Sequence, residues 1–294
     1  MKKALLWILA FILTAGSAVY QRKTGPTYAL KGKISLGESL VSYTLERSHE
    51  TVGDYELKIE ADNPEISGYV LYQRFKTDDP WIKVPMSREN GALVAFLPMQ
   101  PAAGKLAYRV FLTHRGEEVP LSGEQPVIIR FKDVVPDVIL IPHIIVMFLA
   151  MLFSTRAGLE ALRKDSNPRK LALWAAGLMF VGGFILGPLV QKFAFGDWWT
   201  GFPLGFDLTD NKTLIAMVGW MVALIAGRKG RPARGWILAA AVLTLVIFLI
   251  PHSLLGSELD YSQLESQVPQ IISARALPAV IESRMMKSRW RGDF

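Results

Sequence analysis

The chain has 294 residues, 51% of them hydrophobic, with a formal net charge of +7 and no cysteine. Lack of cysteine excludes a disulfide framework, a thiolate zinc site, an iron–sulfur cluster and covalently attached c-type haem. The charge calls for no nucleic acid, because basic residues cluster beside apolar runs, where they orient membrane spans.

Lys2 and Lys3 precede an apolar run over residues 4–20, and Gln21, Arg22 and Lys23 follow it. A spanning helix needs about 20 residues, so the run is short. Residues 1–20 therefore read either as a retained signal anchor or as a signal peptide cleaved near Gly16-Ser17-Ala18. Both readings deliver residues 21–135 across the membrane.

Residues 30–135 read as strands. Segments 56–61, 68–75, 92–97, 106–113 and 126–131 are rich in β-formers. Asp62-Asn63-Pro64, Asp78-Asp79-Pro80, Glu89-Asn90-Gly91 and Arg115-Gly116 supply turn signals between them. About seven short strands in ~100 residues is the pattern of an immunoglobulin-like sandwich. With Trp81 after a central strand and Leu106-Ala107-Tyr108-Arg109-Val110 after Pro101, the stretch resembles a fibronectin type III module. That resemblance implies a binding, spacing or docking role, carries no catalytic residues and makes Tyr108 the candidate corner tyrosine. His49 and His114 are isolated and read as ordinary histidines, since a metal site needs several converging ligands.

Four further apolar runs cover residues 138–155, 171–190, 214–226 and 236–250. Arg156, Arg163, Lys164, Arg169 and Lys170 separate the first pair, and Arg228, Lys229, Arg231 and Arg234 the last pair. The intervening loop 191–213 carries only Lys192 and Lys212. This is the positive-inside pattern, with both basic loops cytoplasmic. The expected fold class is a membrane protein: an α-helical transmembrane bundle of four C-terminal helices plus the N-terminal segment, with an extracytoplasmic all-β sandwich. The expected divisions are 1–20, 21–135, 136–252 and a tail, 253–294. The expected place is the inner or plasma membrane, with the β-domain, loop 191–213 and the tail outside. Within the tail, residues 278–290 read as a short amphipathic helix or as a disordered end.

His143 and His252, both in Ile-Pro-His tripeptides, fall on the outer side. Ionisable residues within spans are functional candidates. The pair suits a b-type haem, a quinone head group, or a metal shared with Asp207, Asp210 and Glu258; the simpler alternative is interfacial histidines with proline at helix ends. Gly187-Pro188 should end or kink its span, and Thr209 or Asp210 should cap the next helix. The loop carries Trp198, Trp199, Phe202 and Phe206, which would stack on a planar ligand as a lid or form an aromatic belt. There is no phosphate loop, dinucleotide fingerprint, HExxH or GxSxG motif. The leading expectation is an envelope protein without catalysis that docks a protein partner through its outer domain and anchors in lipid. Behind it stand a haem b or quinone redox subunit and, third, a metal-dependent membrane enzyme.

Overall fold

The computed structural model describes residues 2–164, 166–228, 233–251, 254, 256 and 258–262. Contacts divide the chain into Met1–Ser257 and Glu258–Phe294. In the second unit, the Ser262 backbone N–H and hydroxyl both donate to Asp260 Oδ1, at 3.0 and 2.6 Å. His252 and residues 278–290 lie outside the described residues.

The first unit opens with a helix, α1 (Lys2–Thr24). A β-rich region follows, made of β1 (Leu30–Leu36), β2 (Ser39–Leu45), β3 (Ser48–Glu50), β4 (Tyr55–Glu60), β5 (Ile66–Arg74), β6 (Ile82–Pro85), β7 (Ser87–Glu89), β8 (Ala92–Leu97), β9 (Lys105–His114), β10 (Glu117–Pro120) and β11 (Val127–Lys132). One sheet runs β3-β11-β9-β5-β6 with β10 also on β9, a second runs β4-β8-β7, and β1 and β2 form a hairpin. Every pairing is antiparallel except β11 with β3.

Strict alternation along β4 buries Tyr55, Leu57 and Ile59 and exposes Glu56, Lys58 and Glu60. Those inward residues join Val70, Leu106, Val110, Ile129 and Phe131 of the larger sheet, and Leu36, Val41 and Leu45 of the hairpin, in one core. Each such side chain, fully buried, contributes roughly 1.5–3 kcal/mol. Tyr108 is fully buried there. Its hydroxyl donates to the Glu46 carbonyl at 2.7 Å, 62 residues back. A corner tyrosine bonds only a few residues upstream, so Tyr108 ties the centre of the sheet to the β2–β3 link instead. Burial pushes its phenol well above the usual range.

The helices that follow are α2 (Asp137–Ala161), α3 (Arg169–Phe180), a π-helical segment (Val181–Leu186), α4 (Gly187–Phe195), α5 (Leu208–Ala226) and α6 (Arg234–Leu249). Four helical stretches are long and apolar enough to cross a membrane: Lys3–Thr24, Asp137–Ala161, Arg169–Phe195 and Leu208–Ala226. At 16 residues, α6 is shorter than any of these four stretches. Gly187-Pro188 does not end the third stretch. Proline clashes with the carbonyl four residues back and has no N–H to donate. The widened π turn just ahead of it lets the helix continue to Phe195.

The bundle interior is built from small residues. Ala150, Ala157, Ala172, Ala175, Ala216 and Ala240 are almost fully buried, which lets backbones approach closely. Trp220 fills the remaining space and donates through Nε1 to Thr244 Oγ1 at 2.9 Å. The outward surface is apolar, as at Ile8, Ile144, Val218 and Val246. Helix α1 packs on this bundle: Ala10 is buried, Thr14 Oγ1 meets Thr155 Oγ1 at 3.4 Å, and Trp7 packs edge-on against Phe153.

Outside the bundle, Arg74 grips Asp79 through Nε and Nη2 at 2.5 and 2.9 Å. The Arg74 hydrogen bonds, helped by Thr77, hold the Asp79 carboxyl down at about 2. A depressed folded-state value gives stability that is present above the ordinary carboxylate value and is lost as pH falls through the lowered one. Asp79→Asn should therefore lower the free energy of unfolding slightly at neutral pH, by about 1 kcal/mol or less for so open a pair. That deficit should vanish between pH 3.8 and about 2, as followed by circular dichroism in both proteins.

Candidate functional site

The end of the bundle nearest the β-rich region gathers polar and aromatic groups. Helix α2 begins at Asp137, so Pro142 lies inside the helix and His143 stands about 9 Å along its axis. His143 Nδ1 bonds the Gly182 carbonyl at 3.0 Å, within the π segment. A carbonyl only accepts, so Nδ1 carries the proton and Nε2 presents a lone pair. Among the described residues Nε2 has no hydrogen-bond partner. An imidazole fixed through Nδ1 to a backbone carbonyl is oriented in the way metal-binding imidazoles are. Gly183 faces Thr213 of α5 at a separation where a Cβ would collide with the threonine methyl.

Phe180, Phe184 and Trp199 form a stack, with ring centroids 6.1 and 5.6 Å apart. Trp199 also donates through Nε1 to the Phe202 carbonyl at 3.1 Å. This tryptophan is thus committed to packing. Trp198, Phe202, Leu204 and Phe206 point outward, and Phe206 is 92% exposed.

The loop is shorter than residues 191–213, since α4 runs to Phe195 and α5 starts at Leu208. Asp207 is the N-cap, accepting from the Thr209 N–H at 2.7 Å, in the place expected of Thr209 or Asp210. Asp210 faces back into the loop. Its Oδ2 accepts the N–H groups of Thr200 and Gly201 at 2.7 and 3.0 Å, and Gln191 reaches Thr200 Oγ1 at 2.5 Å. Any Cβ at residue 201 would lie 2.5 Å from that of Asp210, so only glycine fits. Asn211 takes the Phe202 N–H at 2.7 Å. Lys212 is 4% exposed and donates to the Ile250 and Pro251 carbonyls, at 2.8 and 3.3 Å. Gln21 of α1 reaches the same helix end, at Phe248 and Ile250.

Asp207 and Asp210 thus share a loop, but each carboxylate is turned onto backbone N–H groups. His143 belongs to the neighbouring π segment. Glu258 is an exposed residue of the second unit, and His252 lies outside the described residues. No group of three or more His, Cys, Asp or Glu positioned for a metal occurs among the described residues. His49 packs against Tyr55 and Phe131, and His114 lies 3.3 Å from Glu65. Gly182, Gln191, Thr200 and Gln21 carry the geometry without having stood out in the sequence; Gly182-Gly183 ahead of Gly187-Pro188 was the available signal.

Compared with models of known families, with curated proteins and with solved structures, the chain matches none.

Removing the Asp210 carboxylate leaves two loop N–H groups unpaired, at roughly 1–3 kcal/mol for a buried donor. Asp210→Ala should speed hydrogen exchange at Thr200 and Gly201 by at least tenfold and leave the β-rich region unchanged. Unaltered exchange at both amides would contradict the latch.

Proposed function

We propose that this chain is a multi-span membrane protein whose outer β-domain docks a protein partner. Helix exteriors clad in leucine, isoleucine, valine and phenylalanine suit hydrocarbon. Arg163, Lys164, Arg169, Lys170, Arg228 and Arg234 gather at the end of the bundle away from the β-domain, which favours placing that end in the cytoplasm. In this reading α1 is a retained anchor, because it contributes Ala10, Thr14 and Gln21 to the bundle interior. Helix α6 is then a fifth span. Its 16 residues cover about 24 Å against a ~30 Å hydrocarbon core. An end that stops short of water needs partners for its carbonyls, and Gln21 and Lys212 provide them. The strand orders β6-β5-β9-β11 and β4-β8-β7 around one core support the immunoglobulin-like, fibronectin-type reading of the outer domain.

The observation that carries docking is an exposed apolar rim on that domain. A cleft of about 350 Å³ is lined by Tyr72, Pro80, Ile82, Pro98 and Leu106 together with Gln73, Gln100 and the Arg74–Asp79 pair. Trp81 and Met99 each lie between two of its lining residues, and Trp81, Ile82 and Met99 are 40, 48 and 46% exposed. Exposed Trp and Met around a cleft are the residue types of interface anchors. The domain offers this rim from a fixed seat: the Asp133 N–H donates to the Ala194 carbonyl at 2.9 Å, and the Arg130 guanidinium sits 4.0 Å over the Phe195 ring. A photo-crosslinking residue placed at 81 or 99 in living cells should yield one discrete adduct. The same group at position 52, where Val52 is 72% exposed, should yield none. Absence of adducts at 81 and 99 would defeat the docking reading.

The Nδ1 bond of His143 favours a second reading, a b-type haem or quinone subunit using Nε2 as its contact. Protein purified from haem-replete cells should then show a Soret band with sharp reduced α and β bands, lost in His143→Ala. A colourless folded protein would remove haem from consideration.

A further inference from the structure

At the opposite end of the bundle a cavity of about 280 Å³ opens between α3, α5 and α6. Arg169, Arg234 and Asn167 line it together with Leu224 and Ile237. Among the described residues no acidic side chain lines it. Arg234 directs Nε, Nη1 and Nη2 at the carbonyls of Ala161 and Lys164, which fixes the guanidinium plane. Arg169 uses Nη1 on the Gly227 carbonyl and keeps Nε and Nη2. Carbonyls hold these cations in place without neutralising them. Among the described residues neither arginine has a carboxylate within ion-pair distance, whereas nearby Arg156 and Arg163 both pair with Glu160. Two held guanidiniums and apolar side chains lining one cavity match a phosphate ester that carries a hydrocarbon chain.

We infer that this cavity binds the phosphate of an anionic phospholipid head group, held between Arg169 and Arg234 with its glycerol side against Leu224 and Ile237. The inference rests on the membrane-spanning reading above, with this end in the cytoplasmic leaflet.

The test uses the full chain in nanodiscs of phosphatidylcholine mixed with phosphatidylglycerol, with native mass spectrometry counting retained lipid. Incorporation into the discs checks the membrane reading separately, since a chain that stays out of the bilayer fails before any lipid is counted. Wild type should retain phosphatidylglycerol over phosphatidylcholine. Arg169→Gln should weaken that retention about tenfold, the loss of one charge-assisted contact. Lys170→Gln removes the same charge from an exposed neighbour that does not line the cavity, and should leave retention unchanged. Equal losses in the two variants would mean diffuse attraction and overturn the site, as would no preference in wild type. Because Arg169 also holds Gly227, a second variant, Ala233→Leu, fills the cavity and keeps both arginines; it too should lose the preference, and retention in it would overturn the proposal. If neither variant incorporates, the wild-type preference against Lys170→Gln decides alone. Inorganic phosphate added to the discs should not displace the lipid; displacement would assign the cavity to a soluble phosphate and overturn the lipid half.

Discussion

The helical half of this protein depends on satisfying backbone carbonyls that helix geometry leaves without partners. The last four carbonyls of any α-helix have no intrahelical donor, and a π turn or a proline frees others. Several such places here are met by a side chain from a different helix. Gln21 and Lys212 meet the end of α6, Arg234 the end of α2, Arg169 the end of α5, and His143 the π segment. Every one of these bonds is also a cross-link between helices. That is why long polar side chains stand at the rims of otherwise apolar segments, and why α1 and α6 are held together although α6 is short.

The second constraint is the junction of the two halves. Only Val134, Val135 and Pro136 separate β11 from the residue at which α2 starts, apart from Asp133 itself. A linker so brief leaves little freedom, and the Asp133–Ala194 bond and the Arg130–Phe195 contact remove more of it. The end of α4 is therefore gripped from both sides, by the β-domain and by the latch of Gln191, Thr200 and Asp210.

The two ends of the bundle carry different chemistry. Near the β-domain, carboxylates are spent on backbone N–H groups and one imidazole nitrogen is left open. At the far end, the acidic side chain Glu160 serves Arg156 and Arg163, while Arg169 and Arg234 are tied to carbonyls. Aspartates that looked like metal ligands in the sequence are explained by loop and helix-cap geometry, which leaves His143 as the residue whose chemistry is least consumed by packing.

Composition and periodicity were enough to separate a β-rich region from apolar helices, because alternation and long apolar runs are local properties of the chain. They placed the strand at residues 92–97 and the starts of α2 and α6 within two residues. The β1–β2 hairpin, the passage of the third helix through Gly187-Pro188 and the N-cap at Asp207 were not legible, since each depends on what a neighbouring segment offers: a core to cover, a π turn to absorb the ring, a free N–H to accept. For the same reason the sequence could nominate Asp207, Asp210, Trp199 and His143 but not rank them. Only the tertiary structure decided that the first three are held by their own surroundings and that the last is held through Nδ1 with Nε2 left over among the described residues, because hydrogen-bond satisfaction is a property of contacts between segments distant in the chain.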